Sequence, residues 1–426
     1  MLLSMLTITG AERIVIDETT EATGSLHVEA GRVVDHAVHG ETLDATGCVV
    51  TPGLVNAHHH LLQSAFRTLP GTRGVIMSEW LPTMAAAYTR AGVDAELASV
   101  AARVGIAEGL LCGVTTVADH HLTWPSGADT VAIATATADA AQALGGRLVF
   151  VRGSARDDPQ EAAASAEAIV QALLPRTLDG MLQLAVGPAG VHSDSRETFE
   201  LLGEVAARYG LRRRTQANEQ VDVVIAMEKY GSRPIDLLDE WGWLEPGVTL
   251  AHLCDVTADE ISRLAASGVT ATHAPGCDLP MGWGIAPVAA LHAAGIAIGL
   301  GTSGGGSNDA GHLLADARLA MQIAPLVGPP IAARQVLAMA MAGSAAGLGR
   351  EELGHLRLGA AGDLCVWDVS GAADAGVADP VAGLLWASPG RRPKHVVVAG
   401  QVVVRDYHLV DVDERDLVAA LAKRLA

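Results

Sequence analysis

The tripeptide His58-His59-His60 ends a short apolar run that begins at Val49, and strand geometry gives it a chemical meaning. A β-strand sends alternate side chains to one face, so His58 and His60 point the same way. Two imidazoles at one strand end are a pair that a zinc-type cation grips at about 2.0–2.1 Å. Polar residues recur after the later apolar runs. They are Asp119-His120-His121, His192, Gln216-Ala217-Asn218-Glu219, His252, His273, and Ser303 with Asn308-Asp309. Each alone is accounted for as a hydrogen-bonded loop residue. Their recurrence after nearly every strand predicts a catalytic mouth.

The elements that must position these residues alternate. Ala-rich helical stretches near 94–112 and 130–144 are interleaved with apolar strands near 114–118, 148–151, 182–186, 248–251, 269–272 and 296–300. Strand–helix alternation repeated about eight times predicts an α/β fold, a (β/α)8 TIM-like barrel whose site lies at the C-terminal strand ends. Short strand runs separated by Gly and acidic turns fill both chain ends, at 24–34 and again at 362–368 and 395–404. They predict a small β-sandwich built from residues 1–50 and 355–426, with the catalytic barrel over 51–354.

Composition narrows the function classes. The 426 residues are 50% apolar and 18% charged, enough for a large core, and the formal net charge is −19. That balance argues against nucleic acid or an anionic membrane as partner. No run of about twenty apolar residues reads as a membrane span. The start lacks the basic region and cleavage site of a signal peptide, and the five cysteines are scattered. A cytoplasmic protein is expected. The His-x-Glu with Pro-Cys-x-x-Cys pattern of nucleobase-editing zinc deaminases is absent.

Several segments together resemble the amidohydrolase superfamily, in its branch of 8-oxoguanine and isoxanthopterin deaminases and triazine hydrolases. They are Pro52–His60, Gly113-Val114-Thr115-Thr116 before Asp119-His120-His121, and Thr249-Leu250-Ala251-His252. Gly284–Val288, Gly299-Leu300-Gly301-Thr302, Ser307-Asn308-Asp309 and Gly362-Asp363-Leu364 complete the set. The resemblance implies a single divalent metal, Zn2+ or Fe2+, in the barrel mouth, held in part by His58 and His60. It implies that Glu219 shuttles protons and that His252 orients substrate or water. Two positions depart from the family. Gln216 stands where a strand-five histidine ligand is usual, and Ser303 stands where strand eight usually carries aspartate. A Gln carbonyl is a weak neutral ligand, and a serine hydroxyl is weaker and no base by itself. A hydroxyl residue also stands at that position in the triazine-hydrolase branch. Metal binding through Gln216 and a catalytic place for Ser303 are therefore carried as expectations.

On the substrate side, Gln63, Trp80, His121, Arg214 and His273 are expected contacts. Each has a structural alternative: Gln63 at a helix start, Trp80 anchoring a lid, His273 in a structural hydrogen bond. Trp283 lines the pocket or packs behind it, and His120 and His121 are available as substitute ligands. Arg214 is the oddest, within Arg212-Arg213-Arg214 just before Gln216. Strand periodicity turns it inward with Gln216, toward an anionic substrate or Glu219, unless the strand begins after the arginines. The expected activity is hydrolytic deamination or dehalogenation of a purine-, pterin- or triazine-like ring. The alternatives are a metal-free enzyme with altered acid–base chemistry and a non-catalytic binder. The partners expected are a small heterocycle and, as among relatives, further copies of the chain.

Overall fold

The computed structural model describes residues 5–426. Eight parallel strands form its centre. The first is Leu54–His60, the second Val114–His121, the third Arg147–Ser154 and the fourth Leu182–Pro188. Arg212–Ala217, Val248–His252 and Thr270–His273 follow as fifth to seventh. The eighth comes in two pieces. Ile298–Leu300 pairs with the seventh strand, and Ser303–Gly304 pairs with the first at His59 and His60. The ladder thus returns to its start, which gives the barrel.

The first three strands are buried at every position, as expected where helices cover the outside and side chains fill the inside. The helices begin on acids that bond their free N–H groups. Asp94 accepts from Leu97 N, Asp129 from Ala132 N, and Asp158 from Gln160 N and Glu161 N. Two glycines matter near the site because the chain passes too close for a side chain. A Cβ at Gly301 would lie 2.7 Å from the His58 backbone, and one at Gly187 would collide with the Arg214 carbonyl. Gly301 is where the eighth strand breaks before Ser303.

The second unit is the β-sandwich-like sheet formed from both chain ends. Cys48–Pro52, from the N-terminal part, pairs antiparallel with Leu364–Asp368 from the C-terminal part. Leu6, Ile8, Ile14, Val28, Val50, Leu364 and Val366 give it a core of its own. Cys48–Pro52 runs through Gly53 straight into the first barrel strand, so the sheet reaches slightly past residue 50. Several barrel strands also run longer than their apolar cores. The second extends through Asp119 to His121, and the fifth begins at Arg212, so a strand starting after the arginines is ruled out. Among the described residues no helix is long and apolar enough to cross a membrane.

A buried ion pair ties the two units. Arg147, opening the third barrel strand, donates from Nε to Asp363 Oδ2 at 2.7 Å and from Nη2 to Oδ1 at 2.9 Å. Asp363 Oδ1 also accepts from Ala399 N at 2.7 Å, and both side chains are buried. Removing one partner leaves a buried charge, so Asp363→Ala is expected to cost about 3–5 kcal/mol in urea unfolding. The apolar double replacement Arg147→Met with Asp363→Leu is expected to recover much of that. A single variant within about 1 kcal/mol of the parent would contradict the assignment.

Candidate active site

A cavity of about 340 Å³ opens at the C-terminal strand ends. Trp80, Tyr88, Trp124 and Trp283 give it aromatic walls, and His60, Asp119, His121, His192, Gln216 and Ser303 supply polar atoms. Planar rings favour such walls because aromatic faces bury much area with little loss of freedom. Behind this lining lies a fully buried layer holding His58, Arg214, Glu219, His252, His273 and Asp278.

Backbone strain concentrates here. His252 and Leu253 take φ of 77° and 54° in succession, Ser303 takes 53° and Asn218 takes 53°. Non-glycine residues in this region cost of order 1–3 kcal/mol each and persist where surroundings enforce them. Asn218 turns the chain out of strand five so that Glu219 becomes the residue preceding helix Gln220–Tyr230. The Asn218 side chain donates to Asp255 O at 2.9 Å, and its N–H is taken by Asp222.

His58, His60, His252 and Glu219 are brought together. The His58 and His60 rings are 4.9 Å apart, and His58 and His252 are 5.2 Å apart, centre to centre. Glu219 Oε1 lies 3.6 Å from His252 Nε2. Both Glu219 oxygens are buried without a hydrogen-bond partner. Burial pushes its carboxyl up to about 7, against the opposing pull of His252. Asp119 is a second such acid. One oxygen accepts from Leu61 N at 2.8 Å, the other has no partner, and burial pushes it up to about 7. The histidines of the first two strands go the other way. Burial lowers His60 and His121 to about 4 and His58 well below its ordinary value, so all three are neutral. His60 Nδ1 donates to His120 O at 2.7 Å, which leaves its Nε2 lone pair free.

His252 is held differently. Its Nδ1 lies 2.6 Å from Asp278 Oδ1 and its Nε2 lies 3.0 Å from Gln216 Oε1. The Gln216 amide is fixed in that sense because its Nε2 donates to Ala189 O at 3.1 Å; turning it over would oppose two carbonyl oxygens. Oxygen acceptors at both ring nitrogens require N–H on both, which makes His252 an imidazolium. Burial opposes that charge, and Asp278 outweighs burial.

These donors do not fit the metal of the family. His58 Nε2 is buried without a partner, as a vacant ligand atom would be. Yet among the described residues only His252, Cys277 and Asp278 bring three metal-type donor atoms within 4.8 Å of one another. That group omits His58 and His60, and its histidine and aspartate are already bonded to each other. Gln216 spends both amide ends on protein partners, and Ser303 offers no charge. Arg214, expected at the substrate, instead donates to the carbonyls of Ala57 and Gly347. Burial lowers its guanidinium to about 9, still a cation at neutrality. It neither lines the cavity nor bonds Glu219, because its reach along the barrel interior ends at backbone oxygens.

The remaining expected contacts divide. Gln63 accepts from Gly306 N at 3.0 Å and Trp80 Nε1 donates to Gly306 O at 3.0 Å, so both line the cavity while clamping its rim. His121 lines it too, its ring 4.5 Å from that of Trp124. His273 does not line it; it sits behind, with Nδ1 3.6 Å from Asp278. Two participants were not singled out from sequence. Asp278 lies five residues past His273, beyond any strand end, and no spacing marks it. Asp222 is one helical turn after Glu219 and bonds His192 Nδ1 at 3.0 Å, which only the helix register could have suggested.

Burial disfavours charge on His192, but the Asp222 hydrogen bond and charge prevail and raise it to about 9. A folded pKa above the ordinary 6.5 contributes stability that is present below about 6.5 and lost as pH rises through about 9. The term is on the order of 3 kcal/mol. Urea midpoints taken near pH 6 and near pH 9.5 are expected to converge in His192→Phe relative to the parent. An unchanged pH dependence in that variant would contradict the pairing.

Residues 49–403 match the amidohydrolase family. The chain is 34% identical to the 8-oxoguanine deaminase of Pseudomonas aeruginosa, over 95% of this chain and 94% of that one. It is 30% identical to an isoxanthopterin deaminase from an unknown prokaryotic organism, covering 96% and 90%. The atrazine chlorohydrolase of Arthrobacter aurescens TC1, solved in complex with zinc, superposes with a TM-score of 0.92 at 33% identity, covering 99% and 100%. By this match and these relatives, the chain belongs to the amidohydrolase family.

Proposed function

We propose that this protein hydrolyses an amino or halide substituent from a ring carbon of a small nitrogen heterocycle, of the purine, pterin or triazine kind. The observation that carries the proposal is Glu219, a buried carboxyl with two unpartnered oxygens, 3.6 Å from the His252 ring that bonds the cavity-lining Gln216. At about 7 its pKa suits both giving and taking a proton near neutrality. The names of the relatives, 8-oxoguanine deaminase, isoxanthopterin deaminase and atrazine chlorohydrolase, support the ring class.

The chain's own groups suffice for an addition–elimination outline. The ring lies between the aromatic walls. Neutral Glu219 protonates a ring nitrogen, which makes the adjacent carbon electrophilic, and the His252 charge stabilises the carboxylate left behind. Water adds to that carbon and gives one proton to ionised Glu219, which passes it to the departing ammonia; as the ring carbonyl forms, the hydroxyl proton returns to Glu219. A halide leaves as the anion, and the extra proton passes to solvent. The replacements at Gln216 and Ser303 favour one second reading, a heterocycle binder that has lost turnover.

The test is release of ammonium or halide from a panel of amino- and halo-substituted purines, pterins and triazines. Glu219→Gln is expected to lower kcat/KM by roughly 10²–10⁴-fold. Because the protonated acid starts the reaction, parent kcat/KM is expected to fall as pH rises through about 7. Tight uptake of panel compounds with no product at any pH would favour the binder instead.

A further inference from the structure

We propose that this site works without a resident divalent cation, its positive charge being built into the protein as Arg214 and as His252 held between Asp278 and Gln216. The inference concerns the same cavity as the proposed hydrolysis but does not depend on which ring is turned over.

Three features of the geometry converge. First, Gln216 occupies the position from which a third imidazole would meet His58 and His60, and its carbonyl is turned to His252 by the bond its amide makes to Ala189. Recruiting that oxygen to a cation would free a buried N–H on His252. Second, His252 cannot offer a lone pair while Asp278 and Gln216 accept from its two nitrogens. Third, Arg214 has no carboxylate partner; its bonds go to Ala57 and Gly347 carbonyls, and Ala57 directly precedes His58. A buried guanidinium of this kind is costly unless negative groups nearby compensate it. Its positive field falls instead on His58 and His120, so a dication held by His58 would sit in that field. The strand-eight position is consistent: Ser303 carries no charge and so offers a dication no neutralising carboxylate.

The groups facing His252 are Asp278, Glu219, Gln216, His58 and the Trp283 ring; Asp278 and Glu219 answer its charge, and the His192 charge opposes it. In relatives solved with zinc the cation is the ion. Here it is covalently part of the chain and cannot be lost to a chelator.

The experiment uses the full chain expressed in zinc- and iron-supplemented medium and read by elemental mass spectrometry, then by zinc competition against a chromophoric chelator. The parent is expected to hold no stoichiometric metal and to compete weakly. Gln216→His with Ser303→Asp restores the family ligand types and is expected to tighten zinc by at least roughly a hundredfold. Arg214→Met alone is expected to tighten it by less, and it covers the case in which the double variant fails to fold. About one zinc or iron per parent chain, removed by chelator with a fall in thermal midpoint, would overturn the inference. So would folded variants that bind zinc no better than the parent. Metal content is read without substrate, so this inference and the proposed hydrolysis fail separately.

Discussion

The hydrogen bonds at the two nitrogens of His252 govern the chemistry available to the whole site. Asp278 on one side and Gln216 on the other force a proton onto each nitrogen, and a doubly protonated imidazole is a cation with no lone pair to donate. Everything around it is consistent with a fixed positive centre. Glu219 lies within 3.6 Å, His58 is held neutral, and Gln216 is locked from behind by Ala189. The strained backbone at His252 and Leu253 aims the ring at this arrangement, and the barrel supplies the rigidity that keeps the strain in place.

The division between a lined cavity and a buried layer follows from barrel geometry. Side chains at strand ends reach the mouth, and those one or two positions earlier fill the interior. His60, Gln216 and Ser303 belong to the first group, and Arg214 to the second. The layer is dense in ionisable groups, which a barrel interior tolerates only where each charge is answered. Asp278 answers His252, and Asp222 answers His192. Arg214, bonded to carbonyls alone, is the exception.

Much of this was legible in the sequence, for physical reasons. The period-two rule placed His58 with His60 and turned Arg214 inward with Gln216, and both hold. The strand–helix rhythm gave the barrel, and short Gly-punctuated runs gave the sheet shared by the two chain ends. What spacing could not give was pairing across the barrel. Asp278 finds His252 from the short helix Pro275–Met281 after strand seven, and Asp222 finds His192 from a helix after strand five. Nor could it tell how far Arg214 reaches, because the acceptor carbonyls of Ala57 and Gly347 carry no side-chain signature. Trp80 and Gln63 were expected at the substrate; that they also clamp Gly306 depended on the path of the loop after Ser303.

The protonation of His252 is the point at which the account is most exposed. Nitrogen-15 NMR of histidine-labelled protein at neutral pH reads it directly, with His252→Gln assigning the signal. The account predicts N–H on both ring nitrogens and no shift of either when zinc is added. A bare Nε2, or an Nε2 resonance that moves on binding zinc, would contradict it.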